Sequence, residues 1–165
     1  MHDHFKRMAQ YNAWANARLY DAATALQDWE RKKDIKAYFR SLHGTLNHIL
    51  VADRIWLYRM TGKGDQPGSL DEILFDNFSE LRDAREEEDK RIISVIEALD
   101  AEALSSELDF INTRGEPRTL GRKIILTHFF NHQTHHRGQA SSIMRQLGVE
   151  EPPSLDLLYY ELPNA

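Results

Sequence analysis

Apolar side chains recur along this chain at spacings of three, four and seven residues, the signature of helices that bury one face. Phe5, Met8, Ala15, Leu19, Ala22 and Leu26 mark such a stripe and predict a helix over about Asp3–Leu26, with Asn12 interrupting it. A second helix is expected over about Asp34–Met60, ending before Gly62 and Gly64, which are natural helix stops. A third covers about Asn77–Leu99. Its front half, Glu80–Arg91, is densely charged and reads as solvated, while Ile92, Ile93, Val95, Ile96 and Leu99 supply the buried part. The fourth runs over about Leu120–Leu147, with Gly148 placed to cap it in the left-handed conformation. Between the third and fourth, Leu108–Leu120 reads as two short strands around a turn at Arg114–Pro117. Pro152 and Pro153 end all helix, and Leu155, Leu157, Leu158, Tyr159 and Tyr160 form an apolar tail expected to pack rather than hang free. Four long helices with modest connections predict an all-α four-helix bundle carrying a short β-hairpin.

Composition narrows the picture. At 165 residues, the span 1–165 reads as a single domain. A net charge of -5 opposes an electrostatic grip on nucleic acid, so no nucleic-acid partner is expected. The chain holds no cysteine, which removes disulfides, thiolate metal sites and a cysteine nucleophile together and fits a cytoplasmic location. The first residues lack the apolar core of a secretion signal, and no run of about 18 apolar residues occurs, so no membrane partner is expected either.

Candidate chemistry concentrates in residues 128–137, His-Phe-Phe-Asn-His-Gln-Thr-His-His-Arg, which contain four of the eight histidines. Imidazole is the commonest protein ligand for zinc, nickel and related ions. Histidines four apart on a helix point the same way and can share one ion. Turning the fourth helix by about 100° per residue places Ile125, Phe129, Ala140, Ile143 and Leu147 in one sector, with His132 and His136 inside it. His128 and His135 fall at its edge, beside Gln139. Two imidazoles on a core-facing stripe need partners. Either each bonds a core group separately or one ion serves both.

A catalytic zinc-type site takes three protein ligands and keeps one position open. The third must come from another helix, where His43 and His48 both stand mid-helix. Five residues apart, they diverge by about 140° and cannot both serve. Periodicity permits His48 without selecting it. Asp53 falls on the main apolar stripe and reads as half of a buried ion pair. Arg137 points about 100° away from His136 and reads as a surface or interface residue. Asn12 and Asn16 read as hydrogen-bonded packing residues.

Asn47-His48-Ile-Leu-Val-Ala-Asp53-Arg-Ile-Trp56, followed by Asn131-His132-Gln-Thr-His-His136-Arg137-Gly138-Gln139, resembles the DinB-like family. Tyr11-Asn-Ala-Trp14-Ala-Asn16-Ala-Arg-Leu19 is similar to that family's first helix. The resemblance spans nearly the whole chain. It implies an up-down-down-up bundle, a homodimer, and a metal held by His48, His132 and His136. Three histidines suit zinc, nickel, cobalt, copper or iron, and a divalent ion, zinc or nickel first, is expected.

Signatures of di-iron bundles, zinc proteases, phosphate loops and the hydrolase elbow are absent from the sequence. The family is similar to bacillithiol transferases and mycothiol-dependent maleylpyruvate isomerase. The resemblance therefore implies a metal that activates a low-molecular-weight thiol for attack on a small electrophile, in a pocket rimmed by the first helix and the apolar tail. Two alternatives stay open. One is hydrolysis by metal-activated water. The other is a non-catalytic, stress-linked helical module with a structural metal.

Overall fold

The computed structural model describes residues 2–162. Its long helices are α1 (His2–Thr24), α3 (Leu42–Thr61), α4 (Phe78–Glu97) and α6 (Arg122–Gln146). Short helices α2 (Asp28–Lys32), α5 (Ala101–Ser105) and α7 (Leu157–Glu161) decorate the connections. Strands β1 (Glu107–Ile111) and β2 (Pro117–Gly121) pair antiparallel, Leu108 opposite Leu120, as the expected hairpin. No described helix is long and apolar enough to cross a membrane.

Side-chain pairings fix the helix directions. Asn16 meets Asp89 and Asp21 meets Arg82, so α1 and α4 run antiparallel. His48 meets His136 and Asp53 meets Gln133, so α3 and α6 are antiparallel. Asp53 meets Arg85 while Lys63 meets Arg91, so α3 and α4 run parallel. In chain order the bundle is up-down-down-up, as the family resemblance implied.

The core has two apolar ends with a polar layer between them. One end gathers Leu19, Leu42, Leu46, Leu50, Leu81 and Ile143; the other gathers Phe5, Leu57, Ile92, Ile96, Leu126 and Phe129. Between these groups each long helix also places buried polar residues. They are Asn12 and Asn16 on α1, Asp53 on α3, Arg85 and Asp89 on α4, and Gln133 and Arg137 on α6. All are buried. Arg85 contacts Asp53 at 2.6 Å and Asp89 at 2.9 Å. Gln133 donates to the other oxygen of Asp53 at 2.6 Å. Asn16 and Asn12 donate to Asp89 at 2.9 and 3.2 Å, and Arg137 donates to the Asn12 side-chain oxygen Oδ1. Burial pushes Asp53 up to about 6, against the opposing pull of Arg85. Two guanidiniums and two carboxylates balance, so the layer is neutral as a whole while every long helix has a stake in it.

Three expectations fail here. The front of α4 is not simply solvated, because Leu81, Arg85, Glu88 and Asp89 are buried. Arg137 is no surface residue, with only 2% exposure. The second long helix begins at Leu42 rather than near Asp34. Lys36 and Arg40 adopt positive φ, and the Asp34 carboxylate accepts the Lys36 backbone N–H, so residues 34–41 form a tight loop. Ser41 then caps α3 by accepting from Gly44 N–H. The apolar tail packs only in part. Tyr160 rests on Tyr11 and Trp14 and the Leu155 carbonyl accepts from Tyr11, but Leu158 remains 75% exposed.

Removing one partner from the polar layer strands the others in the core. Asp53→Ala is expected to cost about 3–5 kcal/mol in urea unfolding. A loss below about 1 kcal/mol, the size of an exposed ion pair, would contradict a fully buried layer.

Candidate metal centre

His48 on α3 and His132 and His136 on α6 converge, with one ring nitrogen of each lying within 4.8 Å of the others. His136 Nε2 sits 3.2 Å from His48 Nε2 and 3.1 Å from His132 Nε2. The opposite ring nitrogens decide how to read these contacts. His48 Nδ1 lies 2.7 Å from the Leu70 carbonyl, which can only accept, so Nδ1 carries the proton. His136 Nδ1 lies 2.7 Å from Gln139 Oε1, and Gln139 donates from its amide nitrogen to His135 Nε2 at 3.1 Å. Both rings therefore present bare Nε2 lone pairs to each other with no proton between them. A shared cation satisfies that arrangement. Four-coordinate zinc with bonds near 2.0–2.1 Å would separate its ligand nitrogens by about 3.3 Å, close to the two separations that His136 makes.

The surroundings keep the rings neutral. Burial, with the neighbouring His136, lowers His48 to about 4. Burial and the other imidazoles lower His132 to about 3. Burial also lowers His136. A neutral imidazole is the form that binds a metal.

Local folding explains the placement. His132 and His136 share a face because they are four apart on α6. His48 is aimed by two loops. Phe39, from the loop before α3, stacks on the His48 ring at 3.7 Å with the planes 15° apart. Gly44 permits this approach, since a Cβ there would lie 2.1 Å from the Phe39 carbonyl oxygen. On the other side Asn47 exchanges hydrogen bonds with the backbone of Phe75, pinning the segment that brings the Leu70 carbonyl to His48. His43 is kept out by its own bond to the Phe75 carbonyl at 2.9 Å.

The other singled-out residues lie around this centre. His135 packs edge-on against His136 at 4.8 Å and also meets Gln139. His128 is exposed, packs against Trp56 at 5.3 Å and lines a cavity of about 470 Å³ together with His132. That cavity lies between α3, α6 and the hairpin, with Trp56, Leu70, Phe110 and Leu120 in its wall. The expected rim of α1 and the tail is thus corrected, because those elements border a different hollow that contains none of the three histidines. Sequence reading missed Phe39, Leu70 and Gln139 as supports. Gln139 alone left a signal, three residues after His136 on the same helix.

The depressed pKa values fix a pH response. Above pH 6.5 folded and unfolded imidazoles are both neutral. Below it the unfolded chain takes up protons that the folded triad refuses, so stability falls with pH. The triad is expected to lower the thermal stability of metal-free protein between about pH 6.5 and 4, the raised Asp53 carboxyl acting the other way, and His132→Ala to remove part of that loss while leaving the Asp53 contribution in place. Equal slopes in the two proteins would contradict neutral packed rings.

Comparison with known proteins agrees with the fold. Residues 1–164 match the model of the DinB family. Protein DinB of Bacillus subtilis (strain 168) is 26% identical, over 93% of this chain and 92% of that protein. The crystal structure of a DinB-like protein from Bacillus cereus ATCC 10987 superposes with a TM-score of 0.73 at 22% identity, over 91% of this chain and 94% of that one. In sequence and in fold, this chain belongs to the DinB family.

Proposed function

We propose that the protein holds one divalent ion, zinc or nickel, on His48, His132 and His136 and uses it to activate a small nucleophile. The observation that carries this reading is the pair of Nε2 lone pairs, on His48 and His136, facing each other at 3.2 Å while both Nδ1–H groups are engaged elsewhere. When bound, such an ion keeps its full charge beside three neutral ligands and lowers the pKa of a coordinated thiol or water. The chain's own groups do the rest. Leu70 and Gln139 orient the rings, Phe39 covers His48, and the apolar cavity beside His132 admits a small molecule while limiting water.

The reading favours a low-molecular-weight thiol attacking a small electrophile. With no cysteine in the chain, any sulfur nucleophile must come from a cosubstrate. It also includes a cytoplasmic homodimer without nucleic-acid or membrane partners. Exposed apolar residues such as Tyr38 (87%) and Leu158 (75%) favour a covered face, and the net charge of -5 disfavours a polyanion.

Tag-free protein is expected to carry about one ion per chain by elemental mass spectrometry, and His48→Ala and His132→Ala to lose it while keeping full helicity. Absence of any ion after zinc or nickel loading would refute the reading. So would retention of the ion by a variant lacking all three imidazoles. With 1-chloro-2,4-dinitrobenzene, turnover that requires both metal and added thiol supports the thiol reading. Ester hydrolysis without thiol supports activated water, and a retained ion with no turnover favours a structural metal.

A further inference from the structure

Arg59 stands in the last turn of α3 on the wall of the cavity that reaches His132. Its guanidinium lies over two rings, 4.7 Å from the centroid of Trp56 and 5.2 Å from that of Phe110. These ring contacts hold the guanidinium in place without using its N–H groups. Among the described residues Arg59 forms neither an ion pair nor a side-chain hydrogen bond. Burial lowers its pKa, and nothing nearby opposes that. With no hydrogen-bond or ion-pair acceptor, this half-buried cation has only the two rings to offset its desolvation.

The surroundings sharpen the point. Arg59, Ile55, Leu70, Asn112 and Thr113 also border a second hollow, of about 480 Å³, on the far side toward Gln66–Ser69. Neither lining contains an Asp or Glu among the described residues, although the chain as a whole carries a net charge of -5. The other cation there, Arg118, is already paired with Glu116 at 2.5 Å. Between Arg59 and His132 the walls are apolar, formed by Ile55, Trp56, Phe110 and Ile125.

We propose that this cavity selects a small amphipathic anion, its carboxylate or similar acidic group on Arg59 and its apolar body on Trp56 and Phe110. The inference rests on the proposed function in one respect, that this cavity is where the small molecule meets the triad. Arg59 is then a specificity residue. Its planar donor fork suits a carboxylate better than the point charge of a lysine would. The apolar walls supply affinity without direction, and the cavity volume lies in the usual range for small-molecule sites.

The test is calorimetric titration of 4-phenylbutyrate and its uncharged amide, into zinc-loaded and metal-free protein. The acid is expected to bind roughly tenfold tighter than the amide in both forms. Arg59→Gln should erase that preference, with helicity and zinc content unchanged, and Arg59→Lys should retain part of it. Three results overturn the inference. They are equal binding of acid and amide, no binding of either, and a preference that survives Arg59→Gln but vanishes without metal, which would put the carboxylate on the ion. If the protein takes up no zinc but the preference still tracks Arg59, the anion site stands and the metal reading falls.

Discussion

The registration of α6 is the constraint on which the rest of the structure depends. Two residue pairs, each four apart and offset from each other by one position, occupy neighbouring faces of this helix. Gln133 and Arg137 reach into the buried ionic layer, and His132 and His136 reach toward α3. One residue of helical slippage would turn both pairs by about 100° together. It would strand Asp53 without Gln133 and carry the imidazoles away from His48. The cost of stranding buried charge is several kcal/mol, more than a triad of neutral rings could oppose. The ionic layer therefore sets the register, and the histidines inherit their position from it.

The same layer explains why a helical bundle accepts so many polar groups at its centre. Charged residues in a core usually weaken it unless each finds a partner. Here Arg85 contacts both carboxylates, Gln133 and two asparagines donate to them, and Arg137 donates to Asn12, so the charges of three helices are joined to the asparagines of the fourth. The apolar clusters flank this layer on either side, and its side chains are buried. Stability thus comes mainly from the two apolar ends, while the central layer specifies how α1, α3, α4 and α6 meet. Loops finish the site. Residues 34–41 lay Phe39 on one face of His48, and the segment before α4 offers the Leu70 carbonyl to its Nδ1–H.

Much of this was legible in the sequence, for physical reasons that differ by residue. The helical stripes predict the long helices because burial repeats with the helical turn. The hairpin shows itself by alternation and by Gly115, which takes φ +78 in the observed turn. The pair His132 and His136 announces itself as polar groups on an apolar stripe. His48 is different, since α3 is buried on both faces and periodicity cannot rank its polar residues; only the family resemblance singles it out. Arg85, Asp89 and Arg137 were misread because a one-dimensional charge pattern does not show which charges have partners across the bundle. The loop at 34–41 was misread as helix because Lys36 and Arg40 take left-handed backbone without the glycine that normally signals it. Arg59 carried no signal in sequence, where it looked like an ordinary basic residue near a helix end.

The three imidazoles converge beside the cavity that His132 lines. X-ray absorption at the zinc edge of the loaded protein reads that arrangement directly. Three imidazole nitrogens at about 2.0–2.1 Å, with a further light ligand that exchanges when a thiol is added, are the predicted result. A shell with fewer than three imidazoles, or one closed by a fourth protein ligand and indifferent to thiol, would contradict it.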